Sequence, residues 1–146
     1  LGAGGAARGV VHPLLNAGVE NLHILNRTLE KAQAIAEDAN NPKVTAVNPK
    51  QLLANYDVVI NSTSASLSGT LPSVPDEVLA HCRLVYDMVY SKDKGATVFM
   101  AHAKQLGAAK QLDGLGMLVE QAAAAFYIWT GKQPSTGSVI EQLRNR

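Results

Sequence analysis

The feature that most constrains the fold is a glycine-rich segment at the start of the chain, Gly2-Ala3-Gly4-Gly5-Ala6-Ala7. Its spacing fits the G-x-G-x-x-G/A pattern, in which a tight turn joins a strand to a helix. Glycines at these positions let the backbone approach a pyrophosphate at the helix N-terminus. A tight turn without a ligand would explain the same glycines. The segment alone therefore indicates an α/β fold and only weakly a nucleotide site.

A basic residue at the end of the next predicted strand strengthens the nucleotide interpretation. An NAD-binding domain carries an acidic residue there, which binds the ribose 2′-hydroxyl. This chain has Asn26-Arg27-Thr28 instead, and a guanidinium suits a 2′-phosphate. Lys31, one helical turn further on, either adds a second charge for that phosphate or is an ordinary exposed lysine. The combination predicts binding of NADP rather than NAD.

The rest of the chain alternates short apolar runs with helical segments, which predicts an α/β fold with a mostly parallel, doubly wound sheet of the Rossmann type. Strands are predicted over 22–25, 44–47, 57–60, 84–88 and 111–113. Helices are predicted over 7–17, 29–39 with Thr28 as the cap, 97–106, 116–129 and 138–144. The run 57–60 is expected to be covered on both faces, and 66–75 and 91–95 are expected to be loops. Because the glycine loop begins at residue 2, we expect the first strand of the unit to be missing or truncated.

Composition excludes several classes of protein. The chain has 146 residues, 47% hydrophobic and 17% charged, with a formal net charge of +1, which is typical of one soluble globular domain. That charge gives no general attraction to nucleic acid or membrane. The single Cys82 excludes an internal disulfide and suits the reducing cytoplasm, where we expect the protein. The four histidines show no ligand spacing, so no metal site is expected.

The carboxyl ends of the predicted strands define the expected site, since ligands of open parallel sheets lie outside those ends. Thr63 and Ser64 offer hydroxyls at one end, although a plain polar loop explains them too. Met88 ends another strand and is by default a core methionine. Tyr90 lies on the same side of an extended chain and either reaches a polar substrate or packs under the loop.

Gln121 stands out in the predicted helix 116–129, because its neighbours are almost all apolar. We expect it to be buried, and a buried amide requires hydrogen-bond partners. A substrate hydroxyl is one such partner and a backbone carbonyl is the other.

Taken in order, the motifs resemble those of the shikimate dehydrogenase family over essentially the whole chain. The block Asp113-Gly114-Leu115-Gly116-Met117-Leu118-Val119-x-Gln121-Ala122-Ala123, in which position 120 is open, is more specific than the glycine loop, which many dinucleotide-binding domains share. The other blocks are the glycine loop itself, Asn26-Arg27-Thr28, Asn61-Ser62-Thr63-Ser64, Asp87-Met88-Val89-Tyr90 and Trp129-Thr130-Gly131.

The resemblance implies NADP-dependent reduction of 3-dehydroshikimate to shikimate, a step of aromatic amino-acid biosynthesis. It assigns the pyrophosphate to Gly2, Ala3, Gly4, Gly5 and Ala6, and the adenosine 2′-phosphate to Asn26, Arg27, Thr28 and Lys31. It assigns the nicotinamide to Ser64, Met88 and Gly114, and the substrate to Tyr90 and Gln121. Arginine is frequent in the family at the position of Lys31, and lysine there keeps the charge but loses bidentate geometry.

The family's catalytic lysine and aspartate belong to an N-terminal substrate domain that these residues do not include. We therefore assign no catalytic residue, and expect residues 1–146 to be the NADP-binding domain, inactive alone, with helices from about 116–146 packing toward the substrate domain. The full-length enzyme is expected to be a monomer or homodimer. Two alternatives remain open, a quinate/shikimate dehydrogenase and a non-catalytic NADP-binding module. Unpaired strand edges lead us to expect marginal stability or aggregation.

Overall fold

The computed structural model describes residues 1–91 and 95–145, in which short strands alternate with helices. The predicted loop 91–95 therefore lies partly outside the described residues. The strands are β1 (Leu22–Leu25), β2 (Val44–Val47), β3 (Val58–Asn61), β4 (Leu84–Asp87) and β5 (Gln111–Asp113). The helices are α1 (Gly5–Asn16), α2 (Leu29–Ala39), α3 (Asp76–Ala80), α4 (Val98–Gln105), α5 (Leu115–Thr130) and α6 (Gly137–Asn145), with short 3₁₀ helices at Pro49–Gln51 and Ala65–Ser68.

The boundaries of the predicted strands and α-helices follow the sequence pattern to within one or two residues, with one α-helix omitted, and the predicted loop 66–75 begins inside the 3₁₀ helix Ala65–Ser68. β3 is shifted by one residue and β4 ends at Asp87 rather than Met88. The omitted element is α3, which has only five residues and begins directly after Pro75. A segment this short gives too few turns for a helical period to be recognised.

Within the described residues every strand pair is parallel, as the alternating pattern predicts. β1 pairs with β2, with Leu22 opposite Val44. β4 lies between β3 and β5, with Val58 opposite Leu84 and Val85 opposite Gln111. Parallel neighbours require a crossover, which the helices between the strands provide. The predicted α/β class is confirmed.

Leu1 and Gly2 connect the two groups of strands at their carboxyl ends. The Leu1 nitrogen donates a hydrogen bond to the carbonyl of Ile60 at 2.7 Å, and the Leu1 carbonyl accepts one from the Ser62 nitrogen at 2.9 Å. On the other side, the Gly2 nitrogen donates to the carbonyl of Leu25 at 2.8 Å. Leu1 and Gly2 therefore lie in line with the sheet, between the ends of β1 and β3.

Below Leu1 and Gly2, a cavity of about 570 Å³ separates β1 from β3. Its walls include His23 and Ile24 of β1 and Val58 and Ile60 of β3, and α1 contributes Val11. β3 is consequently not covered on both faces as its sequence suggested, and Val58 is 45% exposed. An apolar sequence shows that a strand is suited to burial. Whether its side chains are buried depends on which other elements pack against it.

Two clusters of buried side chains hold the helices to the strands. One includes Phe99 of α4, Leu79 of α3 and Val85 of β4. The other includes Ile35 of α2 and Val11 of α1. Each large apolar side chain buried in this way stabilises the fold by about 1.5–3 kcal/mol.

By contrast, the end of α5 carries large apolar side chains that remain outside the core. Ile128 and Trp129 are 78% and 80% exposed.

In the described ranges, 1–91 and 95–145, no helix combines the length and apolar character needed to cross a bilayer.

Candidate functional site

The first glycine of the loop is required by the fold. Gly2 has φ +100°, a conformation that L side chains rarely adopt, and a Cβ there would lie 2.8 Å from the Ser62 Oγ. The Ser62 Oγ in turn donates to the Leu1 carbonyl at 2.7 Å. Packing and torsion therefore both explain Gly2 without a ligand.

Gly4 and Gly5 have no such explanation. Both are exposed, and a Cβ at either would meet no heavy atom within 4 Å. Gly4 occupies the N-cap position of α1 with φ −94°, which any residue can adopt. Because these two residues have no side chains, the space directly in front of the helix is open. A pyrophosphate that approaches the backbone closely needs this space.

The N-terminus of α1 is suited to an anion. Gly4 supplies no side-chain cap, and the first turn contains no acidic residue. The first helical hydrogen bond runs from the Arg8 nitrogen to the Gly4 carbonyl at 3.1 Å, so the preceding N–H groups have no acceptor within the helix. Ala3 is half-buried beside them and Ala6 is exposed. Backbone donors and the helix dipole both favour a phosphate at this position.

The end of β1 presents basic side chains to solvent next to the glycine loop. Arg27, Thr28 and Lys31 are all exposed. The Asn26 Nδ2 donates to the Thr28 carbonyl at 2.8 Å, which orders the turn into α2. Thr28 occupies the predicted N-cap position, but its side chain makes no capping hydrogen bond, contrary to its expected role. The Thr28 hydroxyl is therefore available to a ligand.

The end of β3 leads into a turn ordered by the buried Asn61. The Asn61 Oδ1 accepts hydrogen bonds from the Thr63 nitrogen at 3.0 Å and the Thr63 Oγ1 at 2.7 Å. Ser64 follows this turn and is exposed at the start of a 3₁₀ helix. Thr63 thus has a structural role, whereas Ser64 remains accessible.

The ends of β4 and β5 meet at Met88 and Gly114. Met88 lies one residue beyond β4 and is half-buried, so it is not the core methionine that its sequence suggests by default. The buried Gly114 donates its N–H to the Val89 carbonyl at 3.2 Å. Tyr90, two residues after Met88, is half-buried. These residues bring the tips of β4 and β5 into direct contact.

The expectation that Gln121 is buried is wrong. Its side chain is exposed, because α5 buries the stripe Leu115, Val119 and Ala123, and Gln121 lies on the opposite side of the helix. Leu118, an apolar neighbour on the same side of the helix as Gln121, is itself 44% exposed. A role for Gln121 in contacting substrate stays a prediction.

A buried polar group that sequence reasoning missed lies behind the tips of β3 and β4. The Asp87 carboxylate is fully buried and accepts hydrogen bonds from the side chains of Asn61, Ser66 and Thr97. We refer to these four residues as the Asp87 network. Asn61 and Asp87 each follow an apolar run and belong to motif blocks identified in the sequence, but the sequence does not show that their side chains meet.

The pKa of Tyr86, a residue of β4 close to Asp113 at the tip of β5, is shifted by its surroundings. Burial, together with the nearby Asp113 carboxylate, raises the pKa of the Tyr86 phenol, so this group stays protonated near neutral pH. Asp113 itself is held by Arg144 of α6, with 2.9 Å between the Arg144 Nη2 and the Asp113 Oδ1.

Comparison with known proteins agrees with this geometry. The sequence matches the family model for shikimate/quinate 5-dehydrogenase over residues 1–72. It also matches the model for the shikimate 5′-dehydrogenase C-terminal domain over residues 114–144.

Individual relatives show the same likeness over nearly the whole chain. Shikimate dehydrogenase (NADP(+)) of Alteromonas mediterranea is 53% identical, over 99% of this chain and 52% of the relative. The crystal structure of an Ael1 enzyme from Pseudomonas putida has 43% identity and a TM-score of 0.89, over 97% of this chain and 52% of that one. Shikimate 5-dehydrogenase from Thermus thermophilus, solved with shikimate, has 33% identity and a TM-score of 0.76, over 99% of this chain and 51% of that one.

The chain spans about half the length of the curated relatives that it matches. Within that half, the matched segments contain the glycine loop, the Arg27 turn and the Gly114 to Gln121 block. The chain belongs to the shikimate/quinate dehydrogenase family.

Proposed function

We propose that residues 1–146 form the NADP-binding domain of a shikimate dehydrogenase. The observation that carries the proposal is the position of Arg27, exposed on the tip of β1 beside the open N-terminus of α1. A phosphate site and a basic side chain on neighbouring elements suit a dinucleotide with an extra 2′-phosphate.

The proposed roles follow the carboxyl ends of the strands. The pyrophosphate binds at the loop Gly2 to Ala6, and Asn26, Arg27, Thr28 and Lys31 hold the adenosine 2′-phosphate. Ser64, Met88 and Gly114 line the nicotinamide. The last three lie at the ends of β3, β4 and β5, and the exposure of Ser64 and of the basic residues supports these roles.

The proposed reaction of the complete enzyme is the reduction of 3-dehydroshikimate to shikimate. The bound cofactor supplies the hydride, and the protein supplies binding and orientation. Tyr90 and Gln121 are proposed to contact the substrate. The exposed Ile128 and Trp129 support the packing of a further domain against α5.

Titration calorimetry with NADP and NAD tests the cofactor assignment. We expect residues 1–146 to prefer NADP, and Arg27→Ala to lower NADP affinity by about 10–100-fold, the effect of losing a charged hydrogen bond. The matched control is Arg83→Ala, which removes another exposed arginine, one that pairs with Asp57. Equal affinity for NAD and NADP, or an unchanged preference in the Arg27 variant, would contradict the assignment.

A quinate/shikimate dehydrogenase is the second candidate, and the family model matched over residues 1–72 covers both substrates. Competition between cofactors and between the two substrates in the complete enzyme separates the candidates, and Arg27 argues against a preference for NAD because its guanidinium suits a phosphorylated ribose. In either case we expect no shikimate-dependent reduction of NADP by residues 1–146 alone. Turnover in that assay would show that these residues contain a catalytic group.

A further inference from the structure

The Asp87 network joins four segments of the chain at one buried carboxylate. The Asp87 Oδ2 accepts hydrogen bonds from the Ser66 Oγ and from the Thr97 Oγ1, both at 2.6 Å. The Asp87 Oδ1 accepts from the Asn61 Nδ2 at 3.1 Å and from the Val89 nitrogen at 3.2 Å. These four donors come from the end of β3, the 3₁₀ helix after it, the tip of β4 and the start of α4.

Two of these contacts extend to the proposed nicotinamide positions. Asn61 donates to Asp87 through its Nδ2 while its Oδ1 holds the turn at Thr63, directly before Ser64. Val89 donates its N–H to Asp87 directly after Met88. The carboxylate thus helps to set the placement of Ser64 and Met88 relative to each other, although its hydrogen-bond donors are other residues.

The four donors to Asp87 come from the end of β3 and from segments after it, and none belongs to the glycine loop or to the segment Asn26–Lys31. The proposed adenosine side lies at α1 and the end of β1, and the network borders it only through the turn after Asn61, where the Ser62 Oγ donates to the Leu1 carbonyl. In a doubly wound sheet the two mononucleotide halves of the cofactor occupy the two halves of the strand edge. The network is therefore placed to affect one half alone.

We propose that Asp87 is a positioning residue for the nicotinamide half of the cofactor, acting through Asn61, Ser66 and the N–H of Val89. The inference rests on the proposed binding of NADP. Two neighbouring turns joined through one carboxylate keep a fixed separation, and a nicotinamide ring between them requires that separation. An amide at position 87 would present a donor to groups that now donate, so at least one partner would have to reorient.

The test compares two ligands on the same protein, 2′,5′-ADP for the adenosine half and NADP for the whole cofactor. The variants are Asp87→Asn and Ser66→Ala, with Ser68→Ala as the matched control. Ser68 lies in the same 3₁₀ helix, but its Oγ donates to the Ala65 carbonyl at 3.0 Å instead of to Asp87. Affinities are measured by titration calorimetry on residues 1–146.

We expect Asp87→Asn and Ser66→Ala to weaken NADP binding by about 5–10-fold, the net effect of one hydrogen bond of ordinary strength, because the lost contact positions the binding residues and does not touch the cofactor. Their 2′,5′-ADP binding should change by less than about twofold, and Ser68→Ala should match wild type for both ligands. A purely structural effect would reduce the binding-competent fraction and so weaken both ligands equally.

Three results would overturn the inference. Equal weakening of both ligands would assign Asp87 a purely structural role, and unchanged NADP binding in both variants would show that the network does not position the cofactor. Failure of the wild-type chain to bind 2′,5′-ADP would overturn the proposed function and this inference with it. The first two results leave the proposed function intact.

Discussion

Gly114 lies against the carbonyl oxygen of Met88 so closely that no side chain fits between them. A Cβ on Gly114 would be 2.0 Å from that oxygen. The φ of Gly114 is −77°, which any residue can adopt. The requirement for glycine at this position therefore comes from the close approach of the β4 and β5 tips and not from backbone torsion.

We expect Gly114→Ala to lower the free energy of unfolding by about 1–3 kcal/mol, because the methyl group must push these two tips apart. Gly116→Ala is the matched control, since a Cβ there meets nothing within 4 Å. Inside a helix, that change should stabilise by about 0.5–1 kcal/mol. Urea unfolding measures the free energy of unfolding of both variants. Similar effects of the two substitutions would contradict a steric clash between residue 114 and the Met88 carbonyl.

Gly4→Ala should separate folding from binding. Gly4 has an ordinary φ and open space around it, so we expect stability to fall by less than about 1 kcal/mol. NADP binding should weaken by at least about tenfold, because the methyl group occupies the space that the pyrophosphate needs. Gly9→Ala, also with open space around its Cβ, should leave binding unchanged. Calorimetry checks both variants, and full NADP affinity in Gly4→Ala would contradict the proposed phosphate position.

The α-amine of Leu1 should make stability depend on pH in a chain prepared with a free amine there. Burial lowers the pKa of this amine from 8.0 to about 6. Between these values the unfolded state binds the proton better than the folded state, so the free energy of unfolding should rise as pH increases from about 6 to about 8. The expected rise is about 2–3 kcal/mol, because one pKa unit corresponds to about 1.4 kcal/mol.

Urea unfolding across this pH range, with an N-acetylated chain as the control, isolates the contribution of the amine. Acetylation removes the charge but keeps an N–H that can donate to the Ile60 carbonyl. His23 and His102, which makes an ion pair with Asp76, are common to both chains, so they cancel in the difference. Identical pH profiles for the two chains would show that the amine is not buried.

Arg144→Ala should loosen α6 without unfolding the domain. Its ion pair with Asp113 joins α6 to the tip of β5 at 2.9 Å, and the Arg144 side chain is half exposed. Such pairs contribute about 0–1 kcal/mol, so the urea midpoint should change little. Amide exchange over Gly137–Asn145 should become faster, whereas Arg83→Ala should leave it unchanged. Unaltered exchange in the Arg144 variant would show that other contacts hold α6.

The sequence by itself determined the features whose causes are local. The glycine loop, the Arg27 turn and most strand and helix limits depend on torsions, caps and periodicity within a few residues, and they were predicted to within one or two positions. The order of the motifs was enough to indicate the family.

Only the tertiary structure decided which side chains meet and which are covered. Asp87 and Ser66 are separated by 21 positions, and the hydrogen bond between them exists because β3 and β4 pair in parallel. Gln121 is exposed because α5 turns the stripe Leu115, Val119 and Ala123 inward, which the mostly apolar sequence of that helix could not reveal. Burial and hydrogen bonding are properties of neighbours in space, so a pattern along one segment limits them but does not assign them.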